Sequence, residues 1–165
     1  MKARAIPKTM ILAVVGLATP TVAYYEGLVP RTYVDVVGVP TQCYGHTGPD
    51  VVIGQVFTEA ECRAQLSADI QKDVDDVNAC INVPLTVGQG AALVDFAHNF
   101  GRQNLCTSTL AAMANAGAPP ERWCYQLTRW VKARVLGQLI VLPGLVKRRE
   151  TALRMCLGDL SAVPT

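Results

Sequence analysis

The sequence predicts an α+β protein: an N-terminal apolar helix, a small β-hairpin lobe and then a mostly helical lobe. Three observations carry this. A charge-free run follows a basic N-terminus. Two β-rich stretches, RTYVDV and VPTQCYG, flank Val37-Gly38, as in a hairpin. From about residue 57 onward, Thr-x-x-Glu and Thr-x-x-Gln boxes open runs of helical periodicity. At 165 residues the chain suits one globular domain with a real core.

The N-terminal element comes first. Lys2, Arg4 and Lys8 precede residues 9–25, which carry no charge over 17 residues. As a helix this run spans about 25 Å, less than the roughly 30 Å hydrocarbon core of a bilayer. Gly16, Thr19, Pro20 and Thr21 dilute its apolar character. The basic flank predicts a cytoplasmic N-terminus with the remainder exported. Three readings compete: a cleaved signal peptide ending near Thr21-Val22-Ala23, a permanent anchor, or a signal-anchor that inserts and later slips out intact. Residues 1–25 are therefore one predicted unit and 26–165 a second.

The hairpin has an edge character, because Pro40 has no N–H to give to a ladder. Thr58-x-x-Glu61 opens the next helix, with Leu66, Ile70, Val74 and Val77 at helical spacing. Thr86-x-x-Gln89 opens another, predicted to stop near Gly101. Ser108 to Ala116 reads as a short helix closed by Gly117. Pro119-Pro120 introduces a longer one through ERWCYQLTRWVKAR, since proline is tolerated in a first turn. Leu145 to Leu157 is the last helix.

Composition excludes several function classes. With 50% hydrophobic and 17% charged residues the chain is not disordered. A net charge of +2 without a basic-aromatic stripe argues against nucleic acid, but suits an anionic matrix. Six cysteines without a C-x-x-C pair argue against a zinc ribbon, and no metal or cofactor is expected. Export favours disulfides, although six cysteines leave fifteen connectivities open. Cys43 with Cys62, Cys80 with Cys106 and Cys124 with Cys156 are candidates by position along the chain.

Glu26, Asp35 and Thr41 are the catalytic candidates. Taken singly they read as a helix-end acid, a turn former and a strand residue. Together they offer two carboxylates and a hydroxyl, a set that can protonate a leaving group, support developing positive charge and hold a water. Glu26, ending an apolar helix, is placed where burial favours the protonated carboxyl. Asp35, at the mouth of a hairpin, is solvated and ionised in this reading. Thr41 lies across the turn, where its hydroxyl can hold a water.

Glu26-Gly27, Tyr33-x-Asp35, Gly38-Val39-x-Thr41 and Tyr44-Gly45-His46-Thr47-Gly48 together resemble the signature of phage-type lysozymes, glycoside hydrolase family 24. The resemblance continues through residues 92–101, Ser108-Thr109-Leu110, and Leu142-Pro143-Gly144-Leu145 with Arg148-Arg149-Glu150. The weak apolar run in front is similar to that of signal-arrest-release endolysins. The resemblance implies a lysozyme-like fold and a peptidoglycan substrate. It makes Glu26 the general acid, Asp35 the stabilising carboxylate or base, and Thr41 the water-positioning residue. It also implies an inverting reaction, a His46–Asp69 ion pair, and Asn99 and Ser108 at the saccharide cleft, where Ser108 reads equally as a helix cap. Arg148 and Arg149 are expected on a solvated or ion-paired helix face. Cys43 departs from the usual glycine, and VKARVLGQLIVLPG from the usual glycine-rich turn. The expected protein is a monomer, held at the bacterial inner membrane through residues 9–25 and then periplasmic. A lytic transglycosylase and a non-catalytic wall-binding protein are the rival functions.

Overall fold

In the computed structural model, residues 4–165 are described; Lys2 of the basic flank lies outside them. Helix α1 spans Ile11–Glu26 and follows a short 3-10 turn. Pro20 inside it leaves the Gly16 carbonyl without its helical partner. Gly27 closes the helix with φ +70°, its N–H bonded to the Ala23 carbonyl at 3.0 Å. Strands β1 (Val29–Val34), β2 (Pro40–Cys43) and β3 (His46–Thr47) form an antiparallel sheet in sequence order. Tyr33 pairs with Thr41, and Thr41 with Thr47.

Helices α2 (Glu59–Cys80) and α3 (Val87–Cys106) both begin with complete capping boxes, at Thr58 and Thr86. Each box satisfies two otherwise orphaned N–H groups. Helix α3 does not stop at Gly101: the chain kinks there at φ +81° and resumes as helix to Cys106. Helix α3 runs through the core, with Gly88 to Ala97 all buried. Helix α4 (Thr109–Asn115) follows.

The segment after Pro119-Pro120 corrects the predicted long helix. Helix α5 covers only Pro120–Cys124 and continues as a 3-10 turn to Arg129. The chain then forms a second antiparallel hairpin, β4 (Lys132–Val135) and β5 (Gln138–Val141). Val131, Ala133 and Val135 are half-buried between exposed Lys132 and Arg134, a period of two rather than 3.6. Leu136 and Gly137 both have positive φ, 48° and 82°, the backbone of a two-residue type I′ turn. Helix α6 (Pro143–Cys156) completes the fold.

The N-terminal segment is part of the core. Ala5, Ile6, Val14, Ala18 and Val22 are fully buried, and the Ile6 N–H donates to Asn78 Oδ1 at 2.8 Å. Glycine at position 90 makes the fit of α1 on α3: a Cβ there would lie 2.9 Å from Val14 Cγ2. Only one stripe of α1 is covered; Leu12 and Tyr24 are 84% and 63% exposed. Each fully buried valine or isoleucine of the segment contributes about 1.5–3 kcal/mol to holding it in place.

Disulfides join Cys43 to Cys62, Cys80 to Cys106 and Cys124 to Cys156. They tie β2 to α2, the end of α2 to the end of α3, and α5 to α6. Cys124 therefore ends a five-residue helix, not a long one.

Candidate active site

Glu26 is the last residue of α1, and two contacts fix its carboxylate. Oε1 accepts a hydrogen bond from Arg148 Nη1 of α6 at 2.5 Å. Oε2 rests on Gly45, where a Cβ would come within 2.5 Å of it. A side chain at Gly45 would displace that carboxylate, and Gly45 also has φ +76°. Next to it, Tyr25 anchors the same helix end: its hydroxyl lies 2.6 Å from Thr151 Oγ1 and 3.2 Å from the Lys147 carbonyl. The Arg148 guanidinium lies 5.7 Å from the Tyr25 ring centroid.

The environment of Glu26 is thus ionic, which corrects the apolar site predicted from its position behind a hydrophobic run. Arg148 is buried, and its Nε donates to Asp95 Oδ1 at 2.9 Å. Arg149 Nη2 donates to Asp95 Oδ2 at 2.7 Å, and both residues are fully buried. Two guanidiniums and two carboxylates therefore alternate from the core to the cleft. Burial opposes the charge on Arg148, but Asp95 and Glu26 outweigh it and raise its pKa. For Arg149 burial wins, and it is pushed down to about 10. These arginines are ion-paired and buried rather than solvated. Arg148 is the site residue that sequence reasoning passed over.

Asp35 follows β1 and builds the hairpin turn. Its Oδ1 accepts from the Val37 and Val39 N–H groups at 2.9 and 2.8 Å, leaving Oδ2 free of those bonds. Gly38, with φ +86°, donates its N–H to the Asp35 carbonyl. Thr41 is buried in β2, its hydroxyl donating to the Val39 carbonyl at 2.9 Å, so its lone pairs stay available to accept. Tyr33, directly across the ladder from Thr41, connects the two acids. Burial raises its phenol pKa, and the charges of both Glu26 and Asp35 raise it further. Thr41 is thus the ladder partner of Tyr33, and the charges of Glu26 and Asp35 both act on the Tyr33 phenol. Asp35 also lines a cleft of about 700 Å³ with Val36, Val37, Gly38, Arg134, Leu136 and Gly137. The β4–β5 hairpin forms the opposite lip.

Among the described residues, none of the other predicted ones hydrogen-bonds to Glu26, Asp35 or Thr41. His46 Nδ1 lies 2.8 Å from Asp69 Oδ2, and its Nε2 lies 3.0 Å from Asp50 Oδ2. Ser108 caps α4: its Oγ accepts from the Ala111 N–H at 3.0 Å and donates to the Leu105 carbonyl at 2.7 Å. Those bonds make Ser108 the N-cap of α4. Asn99 Oδ1 is buried and has no hydrogen-bond partner among the described residues. No group of three or more His, Cys, Asp or Glu able to hold a metal ion occurs among the described residues.

An acid at a helix end, set against a hairpin that carries a second acid and a buried threonine, belongs to a lysozyme-like fold. The endolysin from Escherichia coli O157:H7 phage FAHEc1 has this fold, with a TM-score of 0.76 and 29% identity over 97% of this chain and 96% of that one. Residues 23–152 match the phage lysozyme family, and the chain belongs to it. It is 41% identical over 132 residues to the SAR-endolysin of Bacteriophage PS119, covering 80% of this chain and 76% of that protein. It is 38% identical over 132 residues to the SAR-endolysin of Enterobacteria phage P21, covering 80% and 77%. At the level of the family, the protein is a cell-wall-hydrolysing enzyme.

Proposed function

We propose that the chain is a muramidase endolysin. It hydrolyses the β-1,4 bond between N-acetylmuramic acid and N-acetylglucosamine in peptidoglycan and so lyses the host cell. Glu26 protonates the leaving oxygen. Arg148 holds Oε1, leaving Oε2 to carry the proton. Asp35, through its free oxygen, supports the developing oxocarbenium charge or takes a proton from water. Thr41 orients that water from the opposite face of the sugar, which makes the reaction inverting.

Residues 1–25 are the regulatory unit and 26–165 the catalytic one. The carrying observation is that the candidate acid terminates the apolar helix. The helix Lys8–Glu26 is long enough to cross a membrane, with a mean hydropathy of 1.2 and only 22% of it buried. While residues 9–25 sit in the inner membrane, with the N-terminus in the cytoplasm, Glu26 is held at the lipid surface. It then cannot reach Gly45 or Arg148, and the exported monomer is inert. Release lets α1 dock on α3 and completes the cleft, a shift between two states that each bury the same apolar stripe.

Digestion of purified peptidoglycan tests this reading. Hydrolysis leaves reducing muramic acid ends, whereas anhydro-muramic ends would identify a transglycosylase and uncut glycan a wall-binding protein. Glu26→Gln should slow release of fragments by about 100- to 10,000-fold with the fold intact. A Gln variant with the native rate would end the assignment.

A further inference from the structure

We infer that His98 is a positioning residue for the catalytic acid: as an imidazolium it bridges Asp73 and the Tyr44 carbonyl, and so clamps the Tyr44–Gly45 turn onto Glu26. This rests on the reading of Glu26 as the acid.

The geometry is a chain of contacts across four elements. His98 of α3 and Asp73 of α2 are nearly inaccessible, with side chains 6% and 7% exposed. His98 Nδ1 lies 2.8 Å from Asp73 Oδ2. Its other nitrogen, Nε2, lies 3.4 Å from the Tyr44 carbonyl. Both neighbours are acceptors. A neutral imidazole has one N–H and satisfies one of them; the imidazolium donates to both. The next residue after Tyr44 is Gly45, whose backbone is the surface against which Glu26 Oε2 rests. The proton on His98 therefore fixes the floor under Oε2, while Arg148 holds Oε1.

The surrounding charges agree with this protonation. On α2, Asp73 and, further off, Asp69 are negative, with Lys72 beside them. Glu26 on α1 attracts the imidazolium and Arg148 on α6 repels it. Burial opposes the charge on His98, but the hydrogen bond and the charge of Asp73 outweigh it, with help from Glu26. The residue is thus kept charged above the ordinary histidine range. Loss of that proton at higher pH removes one of the two bonds and frees the turn.

Two measurements test the inference. The first is a ¹⁵N NMR titration of the wild-type ring against the pH dependence of kcat on peptidoglycan fragments. The inference expects both ring nitrogens protonated at neutral pH and a high-pH fall in kcat at the same midpoint. The second uses Asp73→Asn and His98→Phe. Asp73→Asn should move that fall to lower pH, and His98→Phe should lower kcat by about 10- to 100-fold with little change in KM, as expected for a displaced acid. If His98→Phe does not fold, the wild-type titration and Asp73→Asn decide alone. A singly protonated ring at neutral pH, or a kcat profile that follows neither the titration nor Asp73→Asn, overturns the inference. Glu26→Gln is run beside them. If it is inactive while the His98 expectations fail, only the clamp is wrong; if it is fully active, the reading of the acid itself falls.

Discussion

Glu26 Oε1 and Arg148 Nη1 lie 2.5 Å apart, joining the last residue of the first helix to the last helix, 122 positions downstream. Asp95 holds the far side of the same guanidinium, through Nε at 2.9 Å. In the proposed account, this ion pair is what couples docking of the N-terminal helix to the state of the cleft.

Arg148→Met keeps the volume of the stem but removes the charge between two carboxylates. Glu26 loses its anchor and Asp95 keeps only Arg149. Breaking a buried pair from one side costs about 3–5 kcal/mol. Urea unfolding should show that loss, and peptidoglycan digestion should fall with it even below the unfolding transition.

Gly90→Leu tests the seat of the helix. Its Cβ would press on Val14 and Ile6, so α1 can no longer lie flat on α3. Overpacking of this kind costs about 1–3 kcal/mol. The expected result is a folded 26–165 region with little activity, read by circular dichroism and turbidity clearance in parallel.

Replacing Cys43 and Cys62 together by serine opens a loop with a sequence separation of 19 residues. A loop of that size contributes about 3 kcal/mol in the chain-entropy account. Cys43 also carries φ +56°, a conformation that glycine adopts more readily. Cys43→Gly with Cys62→Ser should therefore recover part of the stability lost in the double serine variant, as measured by thermal unfolding.

The His98–Asp73 pair sets a pH dependence of stability. The folded state holds the His98 proton more tightly than the unfolded chain, where the pKa is about 6.5. Its contribution is complete below that value and is lost as pH rises through the higher folded value. Unfolding free energy should fall on going from mildly acidic to alkaline pH, and His98→Phe should flatten that slope.

Much of this was legible in the sequence, for identifiable physical reasons. The Thr58 and Thr86 boxes mark helix starts because a hydroxyl and a carboxyl or amide three residues on satisfy backbone N–H groups wherever they occur. The Asp35 turn was legible because Gly38 supplies the positive φ it needs. Residues 130–141 were not, because Leu136-Gly137 lacks the usual Asn-Gly turn pair and the preceding Trp123, Cys124 and Leu127 bury at helical spacing. The charge network was also hidden. Arg148 and Arg149 read as a solvated or ion-paired face, and their burial shows only once Asp95, on another helix, is placed between them. For the same reason the sequence suggested an apolar site for Glu26: it shows the helix before the acid, but not the guanidinium that folds back onto it.

The most direct test compares one population of molecules in two places. Gly16→Leu makes the helix more apolar, and a Cβ at position 16 meets nothing within 4 Å in the docked state, so docking is not blocked. Digestion of soluble peptidoglycan fragments is measured with this variant held in inner-membrane vesicles, and again after detergent frees it. The account predicts that the membrane-held protein is at least about 100-fold slower, because its acid is displaced from the cleft, and that the freed protein recovers the wild-type rate. Equal rates in the two states would contradict it.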